Sequence, residues 1–188
     1  MKTKFKHIYL FLLFTTFWNF AAQDVKKNIY VIPIQDTIDL GIPSFVKRGI
    51  DLAESNNGDL IIFDIDTFGG RVDAATQIKD AISATDIPTL AFINRRAISA
   101  GSLISLSCDQ IFMTEGATIG ATSVVDMSGS KQSEKSQSYM REEMAATAEK
   151  SGKSPDIARG MVDEELSFEF LVINGDSLKV EDIEGRKE

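Results

Sequence analysis

Apolar β runs alternating with segments of helical spacing constrain this chain more than any other feature. Asn28 to Ile34, Leu60 to Ile65, Thr89 to Ile93 and Ile111 to Thr114 read as buried strands. Between them, Ile42 to Ser55 repeats apolar residues at Phe45, Val46, Ile50, Leu52 and Ala53, with Pro43 suited to a first helical turn. Val72 to Ala84 does the same through Val72, Ala75, Ile78 and Ile82. Strand–helix alternation of this kind predicts an α/β fold, a parallel sheet covered by helices on both faces. Functional loops in such folds gather at the carboxyl ends of the strands. Two should therefore meet: Thr67 to Arg71 after the second strand, and Arg96 to Gly101 after the third.

The 188 residues are enough for one domain with a substantial core. Residues 1–23 read as a secretory signal, basic through Lys2, Lys4 and Lys6, then apolar from Ile8 to Phe20, with cleavage near Ala22 or Gln23. Residues 24–188 form the expected domain, exported to a periplasmic or membrane-associated location. Three of the 20 basic residues and none of the 28 acidic ones lie in the signal, so the remainder carries −11. That charge argues against nucleic acid as a partner. With one cysteine, Cys108, and one histidine, His7, the chain has no internal disulfide and no zinc constellation, and no metal or cofactor is expected.

The third strand run ends in small residues and restarts as an apolar helix, with Ser99 at the corner. A serine at a tight strand-to-helix turn is held clear of the backbone while the following N–H groups point outward. Ser102, Ser105 and Ser107, at helical spacing among leucines, are expected to bond back to carbonyls. If Ser99 is a nucleophile, the mature chain has no histidine to activate it, and lysine becomes the leading base. Such a lysine must fall from about 10.4 to roughly 7–8, which requires burial or a neighbouring cation. Lys135 opens a predicted helix, Glu134 to Lys150, whose apolar side carries Met140, Met144, Ala145 and Ala148. Lys131 sits among Gly129, Ser130 and Gln132, where water would keep it charged. Gly69-Gly70 could supply one oxyanion donor and the Ala100 N–H the other, and Gly116 to Ser123 is a small-residue loop that lets a substrate chain lie close. The polar stretch Ser128 to Ser138 reads as a mobile loop or lid. Beyond it come a short helix, Pro155 to Val162, a β-like run, Phe168 to Ile173, and a charged tail, Glu181 to Glu188. The tail suggests a C-terminal end cut short of a closed fold.

From Tyr30 to Val162 the chain resembles the ClpP-class serine proteases, and their NfeD-type membrane-associated branch in particular. The motifs are Asp66-Thr67-Phe68-Gly69-Gly70, Ala97-Ile98-Ser99-Ala100-Gly101, Cys108-Asp109, and Gly116-Ala117-Thr118-Ile119-Gly120-Ala121. The resemblance implies a ClpP/crotonase-like fold and an ATP-independent endopeptidase with Ser99 as nucleophile and Lys135 as base. It places Gly69 or Gly70 and Ala100 in the oxyanion hole, and Phe68, Gly116, Ile119, Gly120 and Thr122 against substrate. It also implies apolar peptide segments of membrane-associated proteins such as stomatins as substrates, and a homodimer or larger homo-oligomer. Phe68 stands where the family usually has proline. The longer members' transmembrane helices and β-barrel domain have no counterpart in this sequence. The rival readings are an inactive peptide-binding scaffold of the same fold and a crotonase-type acyl-CoA enzyme, the latter opposed by the export signal.

Overall fold

A computed structural model describes residues 26–126, 128–166, 168, 170–173 and 176–179. The predicted signal and the charged tail lie outside these residues. Strand β1 (Ile29–Ile38) leads through helix α1 (Ile42–Ser55) to β2 (Leu60–Gly70), and helix α2 (Val72–Ala84) leads to β3 (Thr89–Ile98). Helix α3 (Ala100–Ser107) is followed by β4 (Gln110–Met113) and β5 (Thr118–Gly120). Helices α4 (Glu134–Lys150) and α5 (Pro155–Gly160) precede a separate antiparallel pair, β6 (Phe170–Ile173) and β7 (Asp176–Lys179).

The main sheet is parallel, in the order β1-β2-β3-β4, with β5 also on β3. β3 is long enough for two partners: Leu90 to Ile93 pair with Gln110 to Met113, and Arg96 to Ile98 pair with Thr118 to Gly120. This shared edge carries the Gly120 segment to the end of β3, next to Ser99.

Helix positions match the 3.6-residue spacing closely, but β2 and β3 run five residues further than their apolar cores. Asp66, Thr67, Asn94 and Arg95 belong to the sheet although they are polar. Strand pairing persists where the hydrophobic signal has ended, at Gln35 with Asp66 and, past an irregularity, at Thr67 with Ala97. Arg95 and Arg96 both reach Asp66, and Arg96 also lies 4.3 Å above the Phe68 ring.

The expectation of helices on both sheet faces is corrected. On one face the central strand residues are buried, among them Ile34, Ile61, Phe63, Ile65, Ala91 and Ile93. On the opposite face Val31 is 61 % exposed and Phe112 57 %. A strand order that follows chain order, joined by right-handed crossovers, sends each helix to the same side. Within the stretch Ser128 to Ser138, Lys131 pairs with Val125, the Ser128 and Ser130 amides donate to the Asp126 carboxylate, and α4 starts at Glu134 as its spacing predicts.

Candidate active site

Ser99 is the single residue between β3 and α3, and its backbone is strained, with φ 55° and ψ −114°. Non-glycine residues seldom occupy φ above zero, so neighbouring bonds must hold the turn. The Ser99 N–H donates to Gly120 O at 2.8 Å, and Ser99 O accepts from the Ser102 N–H at 2.9 Å. Ser102 secures the same corner from inside. Its hydroxyl contacts Ala97 O at 2.7 Å and Gly120 O at 2.9 Å, while the Gly120 N–H bonds to it at 2.8 Å. Ser105 and Ser107 bond back to Gly101 O and Ile104 O, the structural roles expected for them. Ser99 is half-buried and its hydroxyl has no hydrogen-bond partner among the described residues.

The two predicted loops do meet. A Cβ built on Gly69 would come within 2.7 Å of Ser99 Cβ and 3.2 Å of the Ala100 nitrogen. Gly70 runs as closely against β1, where an added Cβ would lie 2.2 Å from Ile38 O. Glycine is therefore required at both positions by backbone contact, and Gly69 also has φ 105°. Thr67 braces this end of β2: its hydroxyl donates to Asp36 O and accepts from the Gly69 N–H at 2.9 Å. Ala100 opens α3, so its N–H has no acceptor within the helix.

Ser99 lies on the wall of an open groove of about 1260 Å³. Phe68, Gly70, Ile119 and Gly120 line it as well, with Ile157 and Met161 on the far side. A smaller cavity of about 50 Å³ adjoins Ser99, bounded by Val72, Leu103, Val124 and Met140 and containing Thr122. Gly116 is away from both cavities, in an exposed turn between β4 and β5 with φ 78°. Lys135 is exposed in the first turn of α4, makes no hydrogen bond or ion pair among the described residues, and lines neither cavity. Lys131 is paired with Glu164 at 3.7 Å.

Two contributors escaped the sequence reading. Gln137 is 2 % exposed, accepts from the Val124 N–H at 3.0 Å and donates to Val124 O at 2.7 Å, tying α4 to the cavity wall. A signal for it existed, since Gln137 falls on the buried stripe of Met140, Met144 and Ala148. Met161 closes the groove and accepts the Thr122 N–H at 2.7 Å, a long-range pairing with no local signature. Cys108 is fully buried, its thiol pushed up to about 12 by burial, which makes it inert.

A parallel α/β sheet with a strained serine at a strand-to-helix corner, backed by a glycine pair, defines a ClpP-like fold. A family model for the NfeD1b N-terminal domain matches residues 28–182, and the chain belongs to that family. Membrane protein NfeD1b of Bacillus subtilis is 36 % identical over 157 residues, covering 84 % of this chain and 36 % of that protein. Membrane-bound protease PH1510 of Pyrococcus horikoshii is 31 % identical, covering 79 % and 36 % respectively. The chain thus spans about a third of the length of these relatives. Among solved structures, a lysine-to-alanine mutant of the 1510-N membrane-bound stomatin-specific protease, in complex with a substrate peptide, superposes with TM-score 0.70. That match has 28 % identity and covers 84 % of this chain and 71 % of the other. ClpP1 from Listeria monocytogenes shares the fold at TM-score 0.57 and 22 % identity, covering 73 % and 81 %. No helix among the described residues is long and apolar enough to cross a membrane.

Proposed function

We propose that this chain is an ATP-independent serine endopeptidase acting through Ser99 and Lys135 on apolar segments of membrane-associated proteins, stomatin-like proteins among them. The observation that carries the reading is the placement of Ser99: strained, its hydroxyl without a partner among the described residues, on the wall of an open groove lined by Phe68, Ile119, Ile157 and Met161, with Gly69 packed beneath it. The similarity to a stomatin-specific membrane protease supports the substrate class.

In this mechanism the neutral Lys135 amine takes the Ser99 hydroxyl proton as Oγ bonds to the scissile carbonyl carbon. The oxyanion is held by the N–H groups of Gly70 and Ala100, the Gly69 N–H being engaged by Thr67 Oγ1. The C–N bond then breaks as the lysine passes that proton to the leaving nitrogen. Water, deprotonated by the same lysine, cleaves the acyl-enzyme, releases the acid and returns the proton to Ser99. Lys135 must move inward from its exposed position for this to happen, an adjustment that substrate or a second copy of the chain would provide. Export, membrane association and assembly as a homodimer or larger homo-oligomer belong to the same proposal.

Ser99→Ala removes the attacking oxygen. It should abolish both peptide turnover and labelling by a fluorophosphonate while leaving peptide binding largely intact. Cleavage by Ser99→Ala at the wild-type rate would sink the proposal. An inactive scaffold would take no label even with Ser99 present.

A further inference from the structure

Among the described residues only two buried side-chain polar atoms lack a hydrogen-bond partner, and one of them is Oγ1 of Thr122, a residue that lines the Ser99 cavity. Thr122 is 2 % exposed, and its own N–H is already committed to Met161 O. A buried hydroxyl without a partner is costly to keep, so one retained there points to a group that arrives later. The cavity is large enough for a single small polar head, since one water needs only about 10–15 Å³. Its other walls mix hydrocarbon, from Val72, Ala75, Leu103, Val124 and Met140, with the polar Ser99 and Ser123 and the Gly70 backbone.

We infer that this cavity receives the Lys135 amine, and that Thr122 Oγ1 is the positioning residue that accepts one of its N–H bonds. The inference rests on the Ser99–Lys135 reading above. Three features of the fold support it. Val72 lines the cavity and also, with Tyr139, a shallow surface hollow. Tyr139 is one turn beyond Lys135 on the same face of α4, so the lysine stem can cross Val72 to reach the cavity. Gln137, two residues from Lys135, fixes that end of α4 to the cavity wall at Val124. Inside, walls that shut out bulk water disfavour the ammonium form, as a general base near neutrality requires. One acceptor among those walls fixes the amine's rotation and turns its lone pair toward Ser99.

The test compares Thr122→Val and Thr122→Ser with wild type in the full chain, reading fluorophosphonate labelling of Ser99 against pH together with thermal melting. Valine keeps the shape and removes the hydroxyl. The labelling rate on the high-pH plateau should fall about tenfold. The apparent pKa should move down because the ammonium loses its acceptor, and the melting temperature should hold or rise. Thr122→Ser should restore both rate and pKa. Labelling of Thr122→Val at the wild-type rate with an unchanged pH profile would overturn the assignment and would place the hydroxyl, at most, on the later hydrolytic water. A lowered melting temperature with proportionate loss of labelling would also overturn it, as a structural role. A wild-type chain that never labels would fail the Ser99–Lys135 reading itself, and this inference with it.

Discussion

Gly69 shows how one residue can hold two elements in contact. Its φ of 105° lies where L side chains rarely sit, and a methyl there would drive into Ser99 Cβ at 2.7 Å. Gly69→Ala should therefore add backbone strain to overpacking and cost about 2–4 kcal/mol in stability. Chemical denaturation measures that loss. Labelling of Ser99 should fall further than the lost folded fraction explains, because the clash displaces the serine. At Phe68 the balance differs: the ring is 72 % exposed and stacks under Arg96, so its substitution should matter at the groove and little for folding.

At the level of elements, α2 and α4 are joined by a half-buried ion pair. Lys79 Nζ lies 2.7 Å from Glu143 Oε1 and 2.9 Å from Asp80 Oδ1, with 17 % of the lysine side chain exposed. Burial works against the charge on Lys79, but hydrogen bonds to Glu143 and Asp80 outweigh it and raise its pKa above the ordinary 10.5. A raised lysine stabilises the fold fully below its unfolded pKa and loses that contribution as pH climbs through the folded value. Lys79→Met strands the Glu143 carboxylate and should cost about 1–3 kcal/mol at neutral pH. The gap between variant and wild type should close above about pH 10.5. Urea midpoints at pH 7 and pH 11 check both statements. Because α4 carries Lys135, looser docking should also slow any chemistry that depends on that lysine.

On the scale of the whole molecule, the two sheet faces should respond differently to substitution. Phe63 is fully buried under the helices, and Phe63→Ala should cost about 3–5 kcal/mol. Phe112, on the open face, should tolerate Phe112→Ser within about 0.5 kcal/mol in the isolated protomer. Equal losses measured by denaturation would show that the outer face is covered.

Much of this architecture was legible from residue order. Helix α2 was predicted at its observed bounds because its apolar residues repeat at 3.6, and the Ser99 corner was visible because small residues interrupt two apolar runs. The strand ends were not legible. Past Ile65 and Ile93 the chain turns polar, and only pairing with neighbouring strands keeps it extended.

Local periodicity, the glycine pair, the lone histidine at position 7 and the position of Ser99 were thus determined by the sequence itself, since each depends on spacing along one chain. Which face of the sheet is more exposed, how Gly120 reaches the serine, and why the Thr122 hydroxyl is buried with no partner among the described residues were decided by tertiary structure. Those features arise from right-handed crossovers and from a third strand shared by two neighbours, contacts between residues that no local pattern connects.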